Sequence, residues 1–225
     1  MNYWLFFIGM LLGLAPVFLL KKYKLSNLKP ITPFIWLVFI ASLEETGNVL
    51  FWYITKIDIP TAYWSRIYSL AEFLTIFYFF ITTLKPKYLL FFKISITLFL
   101  SLYVYLLFIW NIDECNKTDS YLMLIETMFV IAASFLWFKN CFTSLEETTL
   151  IKTPNFYFVS GFLFYFVSTI FLFLITDYLI KNKNSEFWNY YNFNLYACIV
   201  WRLLLIIGVW RAFFNKKKVI EKTRY

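Results

Sequence analysis

Seven stretches of 18 to 25 residues, each almost wholly apolar, follow one another along the chain, separated by short segments rich in lysine, proline or other polar residues. This succession constrains the fold more than anything else in the sequence. A helix needs about 20 apolar residues, rising about 1.5 Å each, to cross the hydrocarbon core of a bilayer. In that core every backbone N–H and C=O must be paired within the segment, as a helix does. The expected fold is therefore all-α: a polytopic membrane bundle of seven transmembrane helices forming a single domain, with spans at about 3–20, 34–55, 62–84, 88–110, 121–138, 155–179 and 190–214.

Composition agrees with this partition. The chain is 61% hydrophobic and 15% charged, with a mean hydropathy of +0.67, whereas soluble domains run nearer half apolar and a quarter charged. Seven spans use most of the 225 residues. Any binding or catalysis must then occur in the bundle or its short loops. Five of six prolines lie in loops or at span starts, Pro16 being the exception, and all five glycines lie inside spans. Gly9 and Gly13 form a GxxxG spacing that either admits a neighbouring helix closely or is a chance recurrence. Eight of nine tryptophans fall near span ends, as an interfacial belt requires, and the ninth, Trp201, lies beside Arg202.

The charge distribution orients the bundle. Of 21 lysines and arginines, fifteen follow spans one, three and five or close the chain, four lie in the other loops, and Arg66 and Arg202 lie within spans. The positive-inside rule then puts the N-terminus outside and the C-terminus in the cytoplasm. The expected location is the cell inner (cytoplasmic) membrane, multi-pass. The first span resembles a signal peptide only in length, since no basic segment precedes it and no small-x-small site follows. A net charge of +8 spread in this way serves orientation, so the expected partner is the lipid bilayer and not nucleic acid.

Several chemistries are excluded. The chain has no histidine, which removes a His-based zinc site, a Ser-His or Cys-His nucleophile pair and a haem ligand. Cys115, Cys141 and Cys198 are widely spaced, and no disulfide or metal framework follows from them. No cofactor is expected. Glu44-Glu45 resembles the start of the Glu-Glu-x-x-x-Arg motif of intramembrane CAAX-type proteases, but Val49 stands where arginine is required. Ceramidase-type hydrolases depend on histidines, and a retinal protein would need a lysine where span seven has Arg202. A catalyst relying on carboxylates alone is the remaining enzymatic option, and no enzyme activity is expected.

The informative residues are polar ones at membrane depth. Glu44, Glu45 and Glu72 lie about 15 Å below the outer ends of their spans, Glu126 about 9 Å, Asn194 about 7 Å and Arg202 about 18 Å. Each carboxylate at this depth costs roughly 2.5–3.5 kcal/mol on insertion scales. Glu44 and Asn48 share a helix face, as do Tyr68 and Glu72, and Tyr191, Asn194, Cys198 and Arg202 follow one stripe. The expected pocket comprises Glu44, Glu45, Asn48, Tyr68, Glu72, Glu126, Asn194 and Arg202, with Arg66 at its rim and no metal. One explanation is structural ion pairing, Arg202 with Glu44 or Glu72 and Arg66 with Glu126 or with lipid headgroups. Four glutamates against two arginines leave an imbalance of two negative charges, however. Either some are protonated, or a cation, a proton or a small amine ligand occupies the site.

Ile67 to Phe73, then Phe77 to Phe80, and Val159 to Leu163 are similar to segments of uncharacterised small seven-span membrane proteins of bacteria. Neighbouring genes in such families often encode sensor histidine kinases. The resemblance implies a sensory or accessory role with a membrane histidine kinase or other signalling protein as partner. The alternative is a small transporter or proton-coupled carrier using the buried glutamates, against which the sequence shows no internal repeat or matching broken helices.

Overall fold

In a computed structural model the chain is all-helical. The structure describes the backbone of residues 3–23, 28–55, 62–84, 86–109, 115–143, 150–181 and 187–222 and most of their side chains. Among these are seven α-helices: α1 (Tyr3–Tyr23), α2 (Thr32–Thr55), α3 (Ala62–Leu84), α4 (Leu89–Phe108), α5 (Cys115–Thr143), α6 (Pro154–Lys181) and α7 (Phe187–Lys222). Single 3-10 turns lie at Pro86–Tyr88 and Leu150–Lys152. Five helices, α3 to α7, carry apolar stretches long enough to cross a membrane, and α2 carries a shorter one at Thr32–Glu44. The protein is thus a multi-pass membrane protein by helix length and composition.

Successive helices alternate in direction, and contacts at their ends fix this. Tyr23 at the end of α1 stacks on Phe213 of α7 at 3.9 Å, and Lys21 lies 5.0 Å over the ring of Trp36 in α2. Tyr88, before α4, donates to Asn140 near the end of α5 (2.9 Å). Asn215 of α7 donates to the Lys152 carbonyl before α6 (3.1 Å). One end of the bundle therefore holds the C-termini of α1, α3, α5 and α7 and the N-termini of α2, α4 and α6. Lys21, Lys22, Lys29, Lys87, Lys93, Lys139, Lys152 and Arg211 are all exposed there. We call it the basic end.

Around the bundle the neighbours run α1, α2, α3, α5, α6, α7 and back to α1, with α4 outside against α3 and α5. In α4 only 22% of the span residues are buried, against 50% in α5, so α4 offers most of its circumference to lipid, as its lack of charge after Lys93 predicts. Lipid tails are as apolar as leucine, so close packing rather than the hydrophobic effect holds such helices together. Small residues supply that closeness. Gly9 and Gly13 are buried, and a methyl group on Gly13 would run into the Ser42 hydroxyl of α2. A methyl on Gly208 of α7 would enter the Phe158 ring of α6, and one on Gly161 of α6 would meet Trp201 Cδ1 at 3.2 Å. The GxxxG spacing is a packing face.

Phenylalanine fills the half of the core nearer the basic end. Phe79 packs on Phe158 and Phe162 (6.2 and 5.6 Å between centroids), Phe80 on Phe129 (6.0 Å), and Phe34 on Phe162 and Trp201 (4.8 and 5.5 Å). Phe73 stacks on Phe99 at 3.7 Å and 2°, which ties α4 to α3. Helix bounds differ most from the apolar runs at α5, which starts at Cys115, and α7, which runs on to Lys222. Hydrophobicity marks where a helix meets apolar surroundings, while backbone hydrogen bonding continues past that boundary.

Candidate functional site

Three helices bring Tyr68, Glu72, Glu126 and Tyr165 together midway along the bundle. On α3, Tyr68 and Glu72 are four residues apart and so share a face; the Tyr68 hydroxyl donates to Glu72 Oε1 at 3.3 Å. Glu72 is 4% exposed and Glu126 of α5 is completely buried. The two carboxylates lie close enough to act on each other electrostatically. Tyr165 of α6 is buried within electrostatic reach of Glu72 and Tyr68, and its hydroxyl hydrogen-bonds Cys198 of α7. Trp201 of α7 lies along Tyr165 with centroids 4.9 Å apart and ring planes 21° apart.

This group lacks compensation. Neither oxygen of Glu126 has a hydrogen-bond partner, and Trp201 Nε1 is buried without one. Among the described residues the Tyr68 hydroxyl is the one donor on Glu72, and no lysine or arginine pairs with either carboxylate. The pairings of Arg66 with Glu126 and of Arg202 with Glu72 that charge balance favours are therefore not formed. Burying an unpaired charge costs several kcal/mol, so both carboxylates being ionised here without a cation is untenable.

The walls of the group differ on its two sides. Towards the basic end lie Ile76, Phe79 and Phe80 of α3, Phe129 and Val130 of α5, Phe158 and Phe162 of α6, and Leu205 and Val209 of α7, all buried. Ser134 is a buried hydroxyl on that side. Towards the opposite end come Arg66 and Ser69, Ser120, Thr169, Asn192 and Asn194. Arg66 is buried, with its carbonyl accepting from Tyr103 of α4 at 3.2 Å, and Asn194 is half-buried with its side-chain oxygen unpartnered.

Arg202 belongs to a second group. It lies one turn beyond Cys198 on α7 and is 5% exposed, so it does not face lipid. Its Nη1 lies against Gly9 and its Cζ against Gly13 of α1, beside Ser42 of α2. Ser42 itself donates to the Val38 carbonyl (2.8 Å). Glu44 is half-buried and, like Arg202, engaged with a neighbour. The side chains of Glu45 and Asn48 lie outside the described residues.

Of the residues the sequence assigns to one pocket, the structure brings Tyr68, Glu72 and Glu126 near one another, and Tyr165, Cys198 and Trp201 join them. A signal for them existed. Tyr165 lies on the mild polar stripe of α6 with Tyr157, Gly161 and Ser168, and Trp201 is the tryptophan away from any span end. No known protein family, curated protein or solved structure matches the chain, and its chemistry must be argued from these side chains alone.

Proposed function

We propose that this is a seven-span sensory or accessory protein of the cytoplasmic membrane, with its N-terminus outside and its basic end in the cytoplasm. In this reading Glu72 and Glu126 hold a small cation or proton that enters from the outer half. The observation that carries it is Glu126, wholly buried beside a second carboxylate with neither oxygen hydrogen-bonded. A stable structural element would have satisfied those oxygens, whereas a binding site leaves them for its ligand. Polar side chains on one side and phenylalanines on the other support access from the outer side only.

One-sided access favours a receptor over a carrier, because alternating access needs a path to both faces, and carriers are often built on broken helices. The described parts of α3, α5, α6 and α7 run unbroken through the site. The described residues lie almost wholly in helices; output passes in this reading to a partner, and the exposed lysines of the basic end offer an acidic or membrane-apposed signalling protein, such as a histidine kinase, its contact.

The test is thermal unfolding of the purified protein in detergent, with added small cations and across pH, alongside dye-based flux in liposomes. Wild-type unfolding should move with at least one of these solutes, and the Glu72→Gln/Glu126→Gln double variant should not respond. A wild type indifferent to all of them sinks the binding site. Proton or cation flux that vanishes in the double variant would make the protein a carrier instead.

A further inference from the structure

We infer that the Glu72–Glu126 pair binds a primary ammonium group, the head of a small organic amine, against the rings of Tyr68 and Tyr165, the second of them backed by Trp201. The inference rests on the pair being a cation site and names the cation's class. A calcium ion takes six to eight oxygen ligands, and a magnesium ion held by two carboxylates keeps several waters. No group of three or more His, Cys, Asp or Glu gathers among the described residues, and buried phenylalanines rather than water-binding groups wall the pair towards the basic end. A proton supplies one donor and would leave most of the acceptor capacity of the two carboxylates unused. A primary ammonium brings three N–H donors and no acceptor, which matches an acceptor-only pair whose single donor among the described residues is the Tyr68 hydroxyl.

The aromatic wall points the same way. A cation is drawn to the face of an indole or phenol ring within about 6 Å; Tyr165 lies within electrostatic reach of Glu72, and Trp201 stacks on Tyr165 and backs it. These rings also give the ligand's carbon chain an apolar surface. The indole N–H of Trp201 is buried without a protein partner, so this wall, too, is left incomplete by the protein. A quaternary ammonium would satisfy the rings but not the carboxylates, since it has no N–H to donate.

The experiment measures thermal unfolding and radiolabelled ethylammonium binding by the full-length protein in detergent. Ethylammonium, tetramethylammonium, sodium and magnesium chlorides are compared at constant ionic strength. Ethylammonium should raise the unfolding temperature and the other three should not. Glu72→Gln and Glu126→Gln should each fold and bind ethylammonium at least about tenfold more weakly, and Trp201→Leu should weaken it by less. Unfolding that responds to pH through the two glutamates but not to ethylammonium overturns the amine and leaves the proton site standing. A response to magnesium alone, or equal responses to ethylammonium and tetramethylammonium, likewise overturns it. No response to any solute or to pH overturns the cation site itself.

Discussion

Two of the buried charged groups of this bundle, around Arg202 and around Glu72 and Glu126, are built in opposite ways. Arg202 is pressed against the backbone of α1 where Gly9 and Gly13 remove the side chains that would hold it off, and Ser42 closes the same contact from α2. Glu72 of α3 and Glu126 of α5 lie within electrostatic reach of each other, with bulky rings around them, a single long hydrogen bond from Tyr68, and two oxygens unpartnered. One charge is part of the packing that joins three helices. The other pair is tolerated by the packing without being used by it. Buried charge therefore has two meanings in one protein, and the distinction lies in whether the neighbouring backbone was brought close to receive it.

Substitutions separate the two groups. Arg202→Leu should have the largest effect, a loss of about 3–5 kcal/mol, because it strips the cation from a buried polar contact and leaves its partners uncompensated. Arg202→Lys should not restore it, since a compact ammonium cannot reproduce a planar guanidinium lying along a glycine face. Detergent-to-SDS unfolding measures both; a stability unchanged by Arg202→Leu would return the arginine to the same class as the glutamates. Gly13→Leu should cost about 1–3 kcal/mol by overpacking, since even its Cβ has no room beside Ser42 and Arg202. Gly47→Leu is the paired control, because nothing lies within 4 Å of its Cβ position. Equal losses at the two glycines would show that helix propensity, not the seam, is being read.

Glu126→Gln should act in the reverse direction and raise stability by about 1–2 kcal/mol. It removes the second of two carboxyls that cannot both ionise at low cost and supplies an amide donor at a side chain with no hydrogen-bond partner. The same unfolding assay, run without amines, checks the sign. A clear loss would mean that Glu126 has a structural partner and belongs with Arg202.

The seven helices were legible because each apolar run is long and bounded by lysine or proline, as at Pro30 and Pro33 before α2 and at Lys85-Pro86-Lys87 after α3. Depth was legible too, since rise per residue puts Glu72 and Glu126 within a turn or two of each other. What could not be read was which helices are neighbours. Glu72 and Arg202 lie at similar depths, yet Arg202 turns to α1 and α2 while Glu72 turns to α5 and α6, and nothing in either helix's own periodicity states that choice. The tyrosine and tryptophan of the site were hidden for a related reason: an aromatic residue in an apolar span looks like core until its partners are known.

Tyr68→Phe should give the smallest change and the sharpest one. The bond it removes is 3.3 Å long, against the 2.7–2.8 Å usual for O–H···O, and it spans one turn of a single helix. Its loss should cost about 0.5–1 kcal/mol. Ethylammonium binding should survive, because the ammonium supplies the donors that Tyr68 no longer gives and the phenyl ring keeps its face. In the Arg202 seam no such separation is available: a change that weakens the contact also weakens the joint between α1, α2 and α7. A Tyr68→Phe protein that loses binding while keeping its stability would move the phenol hydroxyl itself into the ligand's first contacts. One that loses stability on the scale of Arg202→Leu would make the carboxylate group a structural element after all.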